Sequence, residues 1–203
     1  MRQLHPEVVE RVDPVDRYLA DDRPRPASRP WVMLNMVASV DGAVSVDGVS
    51  GGLGGEPDRL VFRAVRASCD WVPVAAGTAR AERYGRPRST RDIARRRVEL
   101  GREAAPRLAV VTASLDLDPG LPMFDDADEA PVVVLTGENP PADRAAALEG
   151  RAELVRLPGA RPTPAAVLGE LDRRGAHVVL AEGGPTFNGQ LVDADAVDEL
   201  CLS

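Results

Sequence analysis

The chain has 203 residues, of which 44% are hydrophobic and 28% charged, and these values suit one ordinary globular domain. Its formal charge is −7 and no basic cluster stands apart from acidic neighbours, so a nucleic-acid partner is not expected. All 25 basic residues are Arg, which excludes Schiff-base chemistry on a lysine. Small molecules are therefore the expected partners.

Cysteine usage and hydropathy favour a cytoplasmic protein. Cys69 and Cys201 are too few and too far apart for a disulfide framework or a zinc cluster, and we expect both to be buried thiols. No signal peptide is recognised, and no apolar run approaches the ~20 residues that a spanning helix needs. Metal-ligand spacing is also absent from the sequence. We expect neither a metal nor a membrane partner.

The first 29 residues differ in composition from the rest. They are rich in Pro, Arg and Asp, and they lead into the run Arg-Pro-Arg-Pro-Ala-Ser-Arg-Pro. Such a composition predicts an N-terminal arm, residues 1–29, without a regular element of its own. Residues 30–203 then form the main domain.

Apolar runs and helical periodicity alternate along that domain. Residues 56–67 and 163–174 have helical periodicity, 83–105 suggest a loop and then a helix, and a strand begins at Val197. Pro73 falls inside the strand predicted at 71–76. That strand should therefore either bulge at Pro73 or lack a hydrogen-bond donor on one of its sides. The alternation indicates an α/β fold with a mostly parallel central sheet flanked by helices. Five runs predict buried strands: 31–39, 71–76, 108–112, 131–136 and 177–181.

The first predicted strand leads directly into a polar turn. Ser39 and Asp41 follow it, and in open α/β sheets ligands gather at the carboxyl ends of strands. The pair Asp41-Gly42 is equally typical of a turn that merely closes the strand. Both interpretations remain open on these residues alone.

Two later strand ends carry small residues before a helical segment. Gly77 and Thr78 follow the second strand, where backbone N–H groups and a hydroxyl can approach an anion. Glu182 and residues 183–186, Gly-Gly-Pro-Thr, follow the fifth strand and predict a helix start with exposed N–H groups that attract phosphate. A tight turn with a solvated Glu is the alternative.

Arg66 lies on the predicted helix between these loops. Its guanidinium could bind a phosphate or a carboxylate through two parallel hydrogen bonds. In so Arg-rich a chain, a solvated surface side chain is the competing interpretation.

Taken in order, these segments resemble the reductase domain of riboflavin biosynthesis, which has a dihydrofolate-reductase-like fold. That resemblance covers residues 29–203. Members usually continue for about two more strands, so the C-terminal strands look incomplete and an edge strand could be covered in a homodimer. The matching segments are 34–42, Ser50 with Gly54 and Gly55, 60–67, 76–78, 180–186 and 197–200.

The resemblance implies an NADPH-dependent hydride transfer to the opened ribose C1′ of a 5-amino-6-(5-phosphoribosylamino)uracil-type precursor. It implies that substrate contacts Ser50, Arg66 and Glu182. Catalytic roles fall to Asn35, Asp41 and Glu182; many members carry Lys where this chain has Asn35, whose amide could polarise the carbonyl by a neutral hydrogen bond. The implied cofactor contacts are Val37, Ala38, Gly52, Gly77, Thr78, Glu82, Gly183, Gly184, Pro185, Thr186 and Phe187.

Two other functions stay open. After Thr78 the family usually continues with a substrate-phosphate segment, whereas this chain reads Glu82-Arg83-Tyr84-Gly85-Arg86-Pro87. This difference, together with a Glu that can bind a pteridine, leaves room for a dihydrofolate or pterin reductase. Asn35 leaves room for a non-catalytic nucleotide-binding relative.

Overall fold

Seven strands form one sheet in residues 1–125 and 130–203, the part of the chain that this computed structural model describes. The order across the sheet is β5-β4-β3-β2-β6-β1-β7, and the strand pairs are all parallel. The predicted α/β class and parallel sheet are therefore confirmed. The strands are β1 Trp31–Met36, β2 Trp71–Ala75, β3 Arg107–Val111, β4 Val132–Thr136, β5 Ala152–Arg156, β6 Val178–Ala181 and β7 Glu199–Leu202.

Helices connect the strands and cover the sheet. The predicted helix at 56–67 is confirmed, as is the one at 163–174, where Thr163 caps the first turn by accepting from Ala166 N at 3.3 Å. The stretch 83–105 contains the expected loop and then a helix. The helices are α1 Pro14–Ala20, α2 Glu56–Ala67, α3 Ala76–Ala81, α4 Arg91–Glu99, α5 Ala142–Ala147, α6 Pro164–Arg173 and α7 Pro185–Asp193, with a 3₁₀ turn at Pro122–Phe124.

Both faces of the central strands are buried, which explains their continuous apolar runs. Successive side chains point to opposite faces, so Met33 belongs to one core cluster while Val32 and Leu34 belong to the other. The first cluster includes Val65 of α2, and the second includes Leu191 of α7.

Pro73 does not interrupt the pairing of β2 with β3. Their register is continuous from Trp71↔Arg107 to Ala75↔Val111, so no bulge forms. On the other side, β2 pairs with β6 only at Trp71↔Val179, in keeping with a proline that cannot donate there. The Pro73 carbonyl instead accepts from Glu182 N at 3.4 Å. This contact holds the segment after β6 against β2.

The two edge strands depart from the sequence-based expectations. β5 was not predicted because its sequence, Ala-Glu-Leu-Val-Arg, mixes charged and apolar residues, and all five side chains keep some exposure at the edge of the sheet. At the opposite edge, Cys201 on β7 is only half-buried, so the prediction of two buried thiols is wrong for this residue. Cys69 is buried as expected.

The N-terminal arm contains a helix, contrary to the prediction that it forms no regular element. Asp13 caps α1 by accepting from Val15 N at 2.8 Å, and Pro14 occupies the first turn, where its missing N–H costs nothing. The local capping signal therefore outweighs the disorder-like composition. Val15 packs with Ala64 and Ala67 of α2, so the arm is folded onto the main domain.

Arg23 fastens the arm to the edge strand β7. Its Nε and Nη2 donate to Glu199 at 2.8 and 3.1 Å, and its Nη1 donates to the Tyr18 carbonyl at 2.8 Å. The Arg23 side chain is 5% exposed, against 25% for Glu199. Truncating one partner of such a pair leaves a charge without its counterion.

We expect Arg23→Ala to lower the free energy of unfolding by about 2 kcal/mol, somewhat less than for a fully buried pair. Arg25→Ala is the matched control, because the side chains of Arg25 and Asp172 are 39% and 24% exposed and such pairs contribute under about 1 kcal/mol. Urea unfolding of both variants checks this expectation. Equal losses of unfolding free energy in the two variants would contradict the conclusion that Arg23 attaches the arm to β7.

Candidate active site

Three strand ends meet at one cavity. β2, β6 and β1 are neighbours in the sheet, so the segments that follow their carboxyl ends lie side by side. They enclose a cavity of about 600 Å³. Ten residues singled out from the sequence line it: Asn35, Val37, Ser50, Arg66, Thr78, Glu82, Glu182, Gly183, Gly184 and Pro185.

The Gly183-Gly184 turn packs tightly against the end of β2. The φ angles of Gly183 and Gly184 are +137° and +94°, in the region that favours glycine. A Cβ at Gly184 would lie only 2.3 Å from the Cβ of Ala75, and one at Gly183 would lie 3.0 Å from Cγ2 of Thr78. No other residue type fits Gly184 without displacing the neighbouring strand end.

The α7 helix starts at this turn and presents backbone donors. Gly184 is its N-cap and provides no side-chain cap, while Pro185 lacks an N–H. The backbone N–H groups of Thr186 and Phe187 thus begin a helix whose first turn no side chain caps. Such a helix start attracts anions through its exposed donors and its dipole.

Arg66, Glu182 and Tyr84 form a hydrogen-bonded cluster in the wall of the cavity. Nε and Nη2 of Arg66 donate to Oε1 and Oε2 of Glu182 at 2.6 and 2.5 Å. The Tyr84 hydroxyl donates to Oε2 of Glu182 and accepts from Nη2 of Arg66 at 2.8 Å. The Glu182 side chain is only 2% exposed and that of Arg66 22%. Glu182 is therefore a buried carboxylate that Arg66 neutralises. The alternative prediction, a solvated Glu in a tight turn, is wrong.

The surroundings fix the charge states of the cluster. Burial works to lower the pKa of Arg66, but the hydrogen bonds and charge of Glu182 raise it above its ordinary value. Burial, followed by the charge of Glu182, raises the pKa of the Tyr84 hydroxyl well above its usual range. The Arg66 guanidinium also stacks over the Phe62 ring at 4.2 Å. Tyr84 stays neutral and Arg66 stays charged at physiological pH.

One edge of Arg66 remains available to a ligand. Its Nε and Nη2 serve Glu182 and Tyr84, whereas Nη1 has no hydrogen-bond partner within residues 1–125 and 130–203. A guanidinium has five N–H donors, so the two on Nη1 can bind a phosphate or a carbonyl oxygen.

Ser50 and Glu82 contact each other across the cavity. Glu82 Oε1 accepts from Ser50 N at 2.7 Å and from Ser50 Oγ at 2.9 Å. These bonds join the segment that precedes α2 to the end of α3. A ligand that used either side chain would share it with this contact.

The structure places the remaining predicted residues outside the cavity lining. Asp41 is fully exposed, and its carboxylate accepts from Ser39 Oγ in a turn, a bond that lowers the pKa of the carboxyl. This arrangement matches the strand-closing alternative. The Phe187 side chain packs in the core. Six of the predicted site residues do not line the cavity: Ala38, Asp41, Gly52, Gly77, Thr186 and Phe187.

Sequence reasoning missed several residues that line the cavity. Phe62 lies four residues before Arg66 on α2, so helix geometry could have identified it as a neighbour. Tyr84 lies in an aperiodic loop, and no local pattern announces its contact with Glu182. The others are Met36, Val44, Ser45, Gly48, Ala81, Gly85 and Arg86.

In the described residues, none of the helices is long and apolar enough to cross a membrane. Within the same ranges, no three His, Cys, Asp or Glu side chains are grouped as metal ligands would be.

A parallel sheet with a ligand-sized cavity at its carboxyl edge is the arrangement typical of α/β proteins that bind small molecules at their strand ends. The chain belongs to the RibD C-terminal domain family, whose model matches residues 30–203. This result confirms the riboflavin-biosynthesis reductase family predicted from the sequence, with its dihydrofolate-reductase-like fold.

Its relatives include two archaeal 2,5-diamino-6-ribosylamino-4(3H)-pyrimidinone 5′-phosphate reductases. The Methanothermobacter thermautotrophicus protein is 30% identical over 172 residues, which cover 85% of this chain and 76% of the relative. The Archaeoglobus fulgidus protein is 26% identical over 173 residues, 85% of this chain and 78% of the relative. A solved pyrimidine reductase-like protein from Corynebacterium diphtheriae has a TM-score of 0.80 at 26% identity, covering 93% and 79% of the two chains. These relatives support an oxidoreductase.

Proposed function

We propose that this protein is an NADPH-dependent reductase of a ribosylamino-pyrimidine phosphate, the chemistry by which a ribosyl group becomes a ribityl group. The observation that carries the proposal is the common cavity of the uncapped start of α7 and the Arg66–Glu182 pair. An anion-binding helix start suits a dinucleotide, and a buried carboxylate beside a guanidinium suits a polar ring with a phosphate.

The residues present fit a phosphorylated cofactor. Gly183, Gly184 and Pro185 line the cavity, and the first turn of α7, which no side chain caps, begins there. We assign cofactor contacts to Val37, Thr78 and the start of α7. NADPH would supply a hydride to C1′ of the substrate.

The protein's own side chains position the substrate. Asn35 at the end of β1 lines the cavity, and its amide can donate a hydrogen bond to the ring oxygen of the ribosyl group, whose bond to C1′ breaks as the hydride adds and which takes a proton from water. The two free donors on Arg66 Nη1 suit the substrate phosphate, and Oε1 of Glu182 can accept from a ring N–H. Asp41 is exposed and outside the lining, so we assign it no step.

The hydrogen bonds of Glu182 disfavour the pterin alternative. A carboxylate that reads a pterin accepts from two adjacent donors, the ring N–H and the exocyclic amine, and uses both oxygens on one side. Arg66 already occupies that side of Glu182. Turnover of dihydrofolate, with inhibition by methotrexate, would reverse this preference.

We expect the purified chain to oxidise NADPH only when an aminopyrimidine ribosyl phosphate is present. The measurement is the loss of NADPH absorbance with either the 5-amino-uracil or the 2,5-diamino-pyrimidinone compound, and a thermal shift with NADPH is recorded alongside. A shift without turnover of either compound would favour a non-catalytic nucleotide-binding relative. Absence of a shift would contradict the cofactor assignment.

A further inference from the structure

A second cavity lies at the opposite edge of the sheet from the candidate active site. It has a volume of about 360 Å³, and its lining includes Trp71 at the start of β2, Arg107 at the start of β3 and His177 just before β6. The five-residue length of β2, about 15 Å, separates the two cavities. Among the residues that the structure describes, none lines both of them.

Four arginines and two carboxylates line this second cavity, although the whole chain has a formal charge of −7. They are Arg97, Arg102, Arg107, Arg174, Asp70 and Glu103. Arg174 is neutralised by Glu153 and Glu170, which lie 2.5 and 2.6 Å from its nitrogens. The other three arginines outnumber the two carboxylates, so the cavity has an excess of positive charge.

Arg97 is a buried cation without a carboxylate partner. The residue is 0% exposed and forms no ion pair within residues 1–125 and 130–203. Its Nε donates to the Glu103 carbonyl at 2.8 Å, and its Nη1 donates to the carbonyls of Ala67 and Cys69 at 2.6 and 2.7 Å. Burial lowers the pKa of Arg97, and the charge of Arg102 lowers it further. A buried cation without a counterion is costly, and an anion in the adjoining cavity would offset that cost.

Arg102 and Arg107 offer donors to the cavity itself. The Arg102 side chain is 25% exposed, and only its Nη1 is engaged, by the Ser68 carbonyl at 2.5 Å and by Asp70 at 3.4 Å. Arg107 lies over the Trp71 ring at 4.5 Å and has no hydrogen bond or ion pair in the described part of the chain. Guanidinium groups match phosphate oxygens with pairs of N–H donors.

We propose that this second cavity binds a small anion that carries a phosphate group. Arg102 and Arg107 contact the anion directly, whereas Arg97, which is fully buried, contributes its charge from behind the cavity wall. A phosphate group carries about two negative charges at neutral pH and has three acceptor oxygens, which suits two guanidinium groups with a third charge behind them. The inference does not depend on the proposed function, because the two cavities share no lining residue.

The test is calorimetric titration with pyrophosphate at constant ionic strength in the wild type, Arg107→Gln, Arg63→Gln and Arg66→Lys. Arg63 is an exposed arginine of α2 that lines neither cavity, and Arg66 lines only the candidate active site. We expect Arg107→Gln to raise the Kd at least about tenfold, the factor that a hydrogen bond to a charged group typically represents. The other two variants should bind pyrophosphate as the wild type does.

Fluorescence gives a second readout that does not depend on the folding of Arg107→Gln. Trp31 and Trp71 are the two tryptophans, so in Trp31→Phe the emission comes from Trp71, beside Arg107. We expect pyrophosphate to change this emission saturably.

Three results would overturn the inference. They are an unchanged Trp71 emission at millimolar pyrophosphate, an equal Kd in Arg107→Gln and Arg63→Gln, and a loss of binding in Arg66→Lys instead of Arg107→Gln. The last result would place the anion in the candidate active site. None of the three contradicts the proposed reductase, which is tested by its own turnover.

Discussion

Arg66→Ala is expected to lower kcat/KM at least about a hundredfold, because the substrate loses the Nη1 donors and Glu182 loses its partner. It is also expected to lower the free energy of unfolding by about 3 kcal/mol, since a carboxylate that is 2% exposed stays buried without its cation. Steady-state kinetics and urea unfolding measure the two effects separately.

Two further variants separate charge from geometry. Arg63→Ala removes an exposed arginine one helical turn away on α2 and is expected to change neither quantity appreciably. Arg66→Lys retains a positive charge but cannot make the two parallel bonds to Glu182, so its activity should fall between those of the wild type and Arg66→Ala. Wild-type activity in Arg66→Ala would exclude Arg66 from the site.

Gly184→Ala is expected to weaken NADPH binding at least about tenfold and to destabilise the fold by about 2–4 kcal/mol. The added Cβ would lie 2.3 Å from Cβ of Ala75, and the φ of +94° is unfavourable for alanine. The turn and the start of α7 must then shift, which moves the backbone donors. Thermal unfolding with and without NADPH gives both quantities, because a ligand that binds only the folded state raises the melting temperature.

Gly189→Ala is the matched control within the same helix. A Cβ at Gly189 meets no atom within 4 Å, so alanine there should leave NADPH binding unchanged and stabilise α7 slightly. If Gly184→Ala binds NADPH as tightly as Gly189→Ala, the glycine turn is not part of the cofactor site.

The sheet was largely predictable because its central strands are buried on both faces and therefore appear as continuous apolar runs. β5 was not, because its short edge strand mixes charged and apolar residues and has neither a continuous apolar run nor a regular alternation. The α1 helix was missed for a different reason: its Asp13-Pro14 start is a short local signal within a segment whose overall composition resembles a disordered arm. Composition averaged over 29 residues concealed it.

The candidate site was likewise predictable only in part. Strand ends and glycines mark the edge of the sheet where the cavity lies, so Thr78, Glu182 and Gly184 could be found from the sequence. Contacts between distant segments could not, and Tyr84, 98 residues before Glu182, is the main example. A position just after a strand was also not enough to identify a site residue. Asp41 follows β1, but its turn places it outside the cavity lining.

The most direct test of the account is isotope transfer from NADPH in which both hydrogens on C4 of the nicotinamide are deuterium. If the cavity at the ends of β1, β2 and β6 holds cofactor and substrate together, mass spectrometry should find one deuterium on C1′ of the ribityl product. An unlabelled reduced product, or none from an enzyme that NADPH measurably stabilises, would contradict it.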